Sequence, residues 1–195
     1  RAALGRRWAA PRCRWEGGAG GHGGSARGGG GSAECFESIP GSFTVVNGPL
    51  WCYFYAMKYV DNENPMASMR FSCTQVSPNS LVYGTEDDLR KGLSSIETYA
   101  KPERVFVESN CSVSLVGDDV QGIADQMDLP WPVYAMDSGG MKGSFEAGYS
   151  AASLRIEKEM KTKEKIPASV NVLGLSTVHM KGREDAEEIR RLLSL

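Results

Sequence analysis

The chain has 195 residues, with 22 basic and 24 acidic side chains, a formal net charge of −2. That length suits one or two domains. Residues 1–33 hold 11 of the 23 glycines, six arginines and a single acid, so residues 34–195 carry 16 basic and 23 acidic groups, a formal −7. An acidic folded part argues against nucleic acid as a partner. No run of about 18 apolar residues occurs, so neither a membrane span nor a membrane partner is expected. The five cysteines are scattered, without a CxxC pair or a secretory apolar core. That usage opposes a disulfide framework and a zinc site, and it places the chain in a reducing, cytoplasmic setting.

Residues 1–34 read as a disordered Gly/Arg-rich leader, because they offer few apolar side chains to bury. Residues 35–195 read as one domain. The β-branched run at 43–46 predicts a strand, and 50–59 an apolar helix with Pro49 in its first turn. Residues 69–73 and 80–83 are strand candidates. Thr85 caps a predicted helix with Glu86, Asp87 and Asp88 in its first turn, and Leu89, Leu93 and Ile96 form its buried stripe.

Residues 104–108 predict a core strand, followed by Ser109-Asn110-Cys111 and a helix from Gly117 to about Met127. A further strand at 131–136 runs into the turn Ser138-Gly139-Gly140-Met141-Lys142-Gly143. A helix at about 144–161, a strand at 169–174 and an amphipathic helix at 184–195 complete the pattern. The final helix carries no stop signal, so the domain is expected to be truncated at its C-terminus. Strand and helix alternate with short links. The predicted fold is therefore α/β: a Rossmann-like, mainly parallel sheet with helices on both faces. Active groups in such sheets gather at the carboxyl ends of strands, where Cys111 and the 138–143 turn fall.

The chemistry centres on Glu108-Ser109-Asn110-Cys111-Ser112-Val113-Ser114-Leu115-Val116-Gly117-Asp118-Asp119. A cysteine directly after a strand and close to a helix start favours the thiolate, and a thiolate binds iron. The bland alternative is a small buried hydrophobe. Asp118 and Asp119 suit capping and need no catalytic role. The two histidines lack a nucleophile–carboxylate set, so a hydrolytic triad has no support. Gly139, Gly140 and Gly143 lack the spacing of a dinucleotide loop.

Ser-Asn-Cys followed by Leu-Val-Gly-Asp-Asp resembles a cluster-cysteine motif of the nitrogenase component 1 family. Val45-Val46-Asn47-Gly48-Pro49-Leu50-Trp51-Cys52 is similar to that family's strand, His-Gly-Pro turn and preceding cluster cysteine, with Asn47 where histidine is usual. Leu81-Val82-Tyr83-Gly84-Thr85 is similar to its Val-Phe-Gly-Gly segment. The 138–144 turn resembles its Gly-Phe-x-Gly loop, and segments 170–174 and 186–193 resemble the end of its first domain. The resemblance runs in collinear order over about residues 38–195.

It implies metal ligands at Cys52 and Cys111, with Cys35 a third candidate although only 17 residues before Cys52. Gly48, Gly139 and Gly140 would lie against the cofactor. Cys73 falls in a region that approaches the cluster in some members, but reads better as a buried thiol. The implied role is an iron–sulfur cluster-binding subunit of a nitrogenase-like oxidoreductase. The cluster would be shared with a homologous second subunit, in a heterotetramer or homo-oligomer. Low-potential electrons would come from an ATP-dependent iron–sulfur reductase. Catalysis by this stretch alone is not expected. Two alternatives are a non-catalytic scaffold for metal-cofactor assembly and a cluster-less α/β interaction domain.

Overall fold

A computed structural model describes residues 28–61, 66–160, 164, 166–172, 175–176 and 181–194. Most of the leader, with Cys13 and His22, lies outside the described residues, as do residues 173–174 and His179. Four strands form one sheet in the order β2-β1-β3-β4: β1 Ser42–Asn47, β2 Phe71–Cys73, β3 Arg104–Ser109 and β4 Val133–Asp137. Every pairing is parallel. The sequence-predicted α/β sheet is thus the observed one.

Alternation along the central strands divides the core into two layers. On one face Phe43, Val45, Val105 and Val107 meet helices α4 (Glu86–Ile96), α5 (Cys111–Val116) and α6 (Val120–Asp125). Leu89, Leu93 and Ile96 are fully buried there, as the apolar spacing of α4 predicts. On the other face Val46 packs against α2 (Leu50–Asp61), and Phe106 against α1 (Gly28–Glu37) and α7 (Phe145–Glu157). The rings of Phe36 and Phe106 stack with centroids 4.2 Å apart, fixing α1 over β3. Such pairs contribute about 0.5–1.5 kcal/mol beyond their burial.

Several expectations are corrected. Residues 80–83 form a short helix, α3 (Ser80–Tyr83), rather than a strand; it ends at Gly84, whose φ is +107°. The helix expected from Gly117 is the shorter α6, starting at Val120, and a further helix not anticipated from the sequence, α5, precedes it and ends where Gly117 adopts a left-handed C-cap. Residues 169–172 form no strand and are exposed. The last helix is α8 (Gly182–Leu193).

The glycine run is the most instructive departure. Residues 28–34, read from composition as leader, are helical in α1 and, apart from half-buried Gly29, buried. α1 and α7 cross at glycines. A Cβ on Gly148 would overlap the Gly28 backbone, and one on Gly31 would overlap the Phe145 carbonyl. Glycine here permits close backbone approach rather than chain freedom.

This crossing gives a direct test. Gly148→Ala should cost about 1–3 kcal/mol in chemical denaturation, because backbone stands where the methyl would go. Gly29→Ala, whose Cβ meets only an ordinary contact at 3.7 Å, should be neutral or stabilise by roughly 0.5–1 kcal/mol through helix propensity. Equal effects at the two positions would contradict the close crossing.

Candidate functional site

Strand register aligns the candidate residues. Val46 pairs with Cys73, Asn47 with Ser109, and Ser109 with Asp137, so all four strands end at one level. The strand order places the topological switch point between β1 and β3, because the chain leaves β1 toward β2 and returns on the other side as β3. Ligand crevices open at such points, beyond the carboxyl ends of the strands.

Gly48 and Asn110 meet across this crevice. The Asn110 N–H donates to the Asn47 carbonyl at 3.2 Å, and a Cβ on Gly48 would overlap the Asn110 side chain. Gly48 is therefore required for the two loops to abut. Its N–H donates to Thr74 Oγ1 at 3.0 Å, and its carbonyl accepts from the Cys73 thiol at 3.1 Å. Cys52 follows in the first turn of α2, where its N–H donates to the Pro49 carbonyl. Burial pushes the Cys73 thiol up, the Gln75 N–H draws it back, and nearby Cys52 adds to the rise. Cys73 is only partly buried and lies beside Cys52, so it is less enclosed than the sequence suggests.

Cys111 is the first residue of α5, one residue after the N-cap Asn110. Asn110 Oδ1 accepts from the Ser112 N–H at 3.0 Å and the Val113 N–H at 3.4 Å. The Cys111 sulfur accepts from the Gly140 N–H at 2.9 Å. Gly139 makes that approach possible, since a Cβ there would come within 3.1 Å of Cys111 Cα. The 138–143 turn is held from below by Asp137, which accepts from the Ser114 hydroxyl at 2.5 Å and the Gly139 N–H at 3.2 Å, and pairs with Lys142 at 3.2 Å. Burial works against the Asp137 charge, but Ser114, Gly139 and Lys142 together hold its pKa below the usual value.

Cys35 is not brought to this edge. It is buried between α1 and α7 in the cluster of Phe36, Phe106 and Ala152, its sulfur 3.4 Å from Ser153 Oγ. Burial raises its thiol pKa, Ser153 opposes the rise, and Glu34 adds to it. Asp119 caps α6 by accepting from the Gly122 N–H at 3.0 Å. Asp118 accepts from both the N–H (2.6 Å) and hydroxyl (2.7 Å) of Thr85. The Thr85 hydroxyl thus serves the Asp118 contact and makes no cap bond within α4. Asp119 thus caps a helix as the sequence suggests, whereas Asp118 reaches across to Thr85 at the start of α4.

Sequence reasoning missed a buried acid pair under α1. Glu108, near the end of β3, accepts from Ser32 Oγ at 2.5 Å, and the Ser138 hydroxyl beside it donates to the Ser109 carbonyl at 3.4 Å. Glu37 accepts from Thr44 Oγ1 at 2.9 Å and pairs with Arg70 at 3.0 Å. Burial pushes Glu108 up to about 8, the serine hydroxyls oppose the rise, and Glu37 adds to it. Burial lifts Glu37 to about 7 despite Arg70 and Thr44. The only signal in the sequence is an acid within an otherwise apolar strand.

The family profile of nitrogenase component 1 type oxidoreductases matches residues 29–195. The chain belongs to that family. It is 26% identical over 152 residues to the nitrogenase molybdenum-iron protein alpha chain of Methanosarcina barkeri, covering 71% of this chain and 29% of that one. The nitrogenase iron-molybdenum cofactor biosynthesis protein NifE of Clostridium pasteurianum is 26% identical, covering 74% of this chain and 33% of its own. A light-independent protochlorophyllide reductase component from Dinoroseobacter shibae is 33% identical over 96 residues, or 48% of this chain and 18% of its own. A solved structure described as nitrogenase Cp1 at pH 5 superposes with a TM-score of 0.72 at 25% identity, covering 87% of this chain and 36% of that one. The chain thus spans about a third or less of the relatives it matches. Among the described residues no helix is long and apolar enough to cross a membrane.

The acid pair yields a pH prediction. A carboxyl whose folded pKa lies above its unfolded value favours folding at low pH, and that contribution fades as pH rises through the folded pKa. Glu108 and Glu37 should therefore weaken the fold progressively between about pH 5 and pH 8. Glu108→Gln should melt like the wild type at pH 5 and above it at pH 9. Parallel Tm–pH profiles would contradict this account of Glu108.

Proposed function

We propose that this chain is the iron–sulfur cluster-binding part of a nitrogenase-like oxidoreductase subunit. The carrying observation is the shared level of β1 and β3, which brings the loops bearing Cys52 and Cys111 together at Gly48 and Asn110. Cysteine thiolates hold such clusters, and a cluster bound there would supply one-electron transfer at low potential. The donor set fits as a partial one. Among the described residues no three His, Cys, Asp or Glu side chains converge as a metal site, so a second, homologous subunit is proposed to complete the ligands.

This chain's own groups hold the site. Gly140 N–H fixes the Cys111 sulfur, Gly48 admits the Asn110 side chain, Gly139 admits the Cys111 backbone, and Asn110 anchors the start of α5. Leu50, Trp51, Phe54 and Tyr55 surround Cys52 on α2 and are exposed, Trp51 by 70%; they are the surface proposed to meet the partner. An ATP-dependent iron–sulfur reductase is the proposed electron source. Cys35, enclosed between α1 and α7, falls outside the ligand set proposed here. The similarity to NifE supports a second reading, a scaffold for metal-cofactor assembly built on the same site. Substrate turnover by the purified assembly separates that reading from the enzyme.

Anaerobic reconstitution with iron and sulfide, in the presence of the partner subunit, tests the ligand assignment. The wild type should develop a visible charge-transfer band. Cys52→Ala with Cys111→Ala should lose most of this chain's share of iron, whereas Cys35→Ala should keep it. No band in the wild type, or an undiminished band in the double variant, would overturn the assignment and favour a cluster-less domain.

A further inference from the structure

We infer that Gln121 closes the outer edge of β4 by standing in for a fifth strand, and that without it this edge pairs with the same edge of a second copy of the chain. β4 ends the sheet, bonded to β3 on one side. Along a strand the main-chain groups turn alternately toward one neighbour and away from it. The Pro132 carbonyl accepts from the Val105 N–H at 3.0 Å, and the Ser138 N–H donates to the Ser109 carbonyl at 3.0 Å, so both face β3. Tyr134 and Met136 share that side by alternation. Val133 and Ala135 therefore turn their main-chain groups outward, and an open edge of this kind is a template for another strand.

The side chain of Gln121, the second residue of α6, reaches both positions. Its Nε2 donates to the Val133 carbonyl at 3.0 Å, and its Oε1 accepts from the Ala135 N–H at 2.9 Å. A residue of a parallel neighbour placed opposite Tyr134 would make the same two bonds, one to the carbonyl before it and one to the N–H after it. The amide has a single workable orientation. Nε2 also donates to Asp125 Oδ1 at 2.8 Å, so a reversed amide would set its oxygen against two acceptors and its N–H groups against that of Ala135. Asp125, four residues on, is thus the positioning residue of this clasp.

Little else along β4 opposes pairing. Pro132 precedes the strand and Asp137 ends it, but Val133, Tyr134, Ala135 and Met136 between them carry neither charge nor proline. These four are half-buried, whereas β1 and the apolar residues of β3 are buried. A second copy suits the opened edge because it brings the identical row of groups. Two β4 edges related by a two-fold axis run antiparallel, and each offers the donors and acceptors the other lacks.

The test compares the full chain with its Gln121→Ala variant in reducing buffer, by amide hydrogen exchange and by sedimentation velocity over a range of concentrations. In dilute solution the Ala135 N–H of the variant should exchange about tenfold faster than in the wild type, as the loss of one hydrogen bond predicts. As concentration rises, the variant should form a larger species absent from the wild type, in which Ala135 regains protection. Adding Ala135→Pro, which removes the outward N–H of an edge strand, should abolish that species. Gln121→Met, close to glutamine in volume, carries the same expectations if the alanine variant fails to fold. Wild-type exchange at Ala135, or faster exchange with wild-type sedimentation at every concentration, would overturn the inference. Association that survives Ala135→Pro would also overturn it, by placing the contact elsewhere.

Discussion

In-register parallel pairing of β1 with β3, from Ser42 opposite Arg104 to Asn47 opposite Ser109, is the constraint on which the site depends. It ends two strands at one level and forces their loops into contact. Gly48 and Asn110 can meet only because one has no Cβ and the other turns its carbonyl into the cap of α5. The loops cannot separate without breaking the Asn110–Asn47 backbone bond and exposing the buried Asn47. A one-residue slip of β3 would also turn Val105 and Val107 to the wrong layer, so core packing and site geometry are specified by the same register.

Support comes from the opposite face. α1 lies over β1 and β3, with Phe36 on Phe106, Ser32 on Glu108 and Glu37 on Thr44. α7 locks over α1 through Gly28, Gly31 and Gly148. Ser138, which begins the loop touching Cys111, bonds to the Ser109 carbonyl at the end of β3. The buried acid ties α1 to that same strand end. Its protonation state acts on stability, and it remains outside the ligand set.

Much of this was legible in the sequence because it rests on periodicity. The β-branched runs at β1 and β3 and the apolar stripe of α4 declare themselves through spacing. Cys111 and Cys52 stand out because each follows a strand end, Cys52 after the Gly48-Pro49 turn and Cys111 directly. The failures share a cause: local composition does not report tertiary partners. Gly28 and Gly31 look like a flexible leader until α7 supplies the backbone they fit against. Residues 80–83 have strand-like side chains, yet Leu81 packs on the core from a helical turn closed by Gly84. Residues 169–172 alternate polar and β-branched side chains but are exposed. Cys35 resembled a ligand by its order in the chain, and only packing places it between α1 and α7. The clasp of Gln121 on β4 has no sequence signature, since it is defined by main-chain groups that only the folded sheet leaves unpaired.

The most direct test of the central claim is an anomalous difference map at the iron edge, from crystals of the anaerobically isolated assembly. The account predicts iron beside the sulfurs of Cys52 and Cys111, beyond the carboxyl ends of β1 and β3, with further thiolates from the partner subunit. An assembly without iron at that edge, or with iron bound elsewhere on this chain, would contradict it.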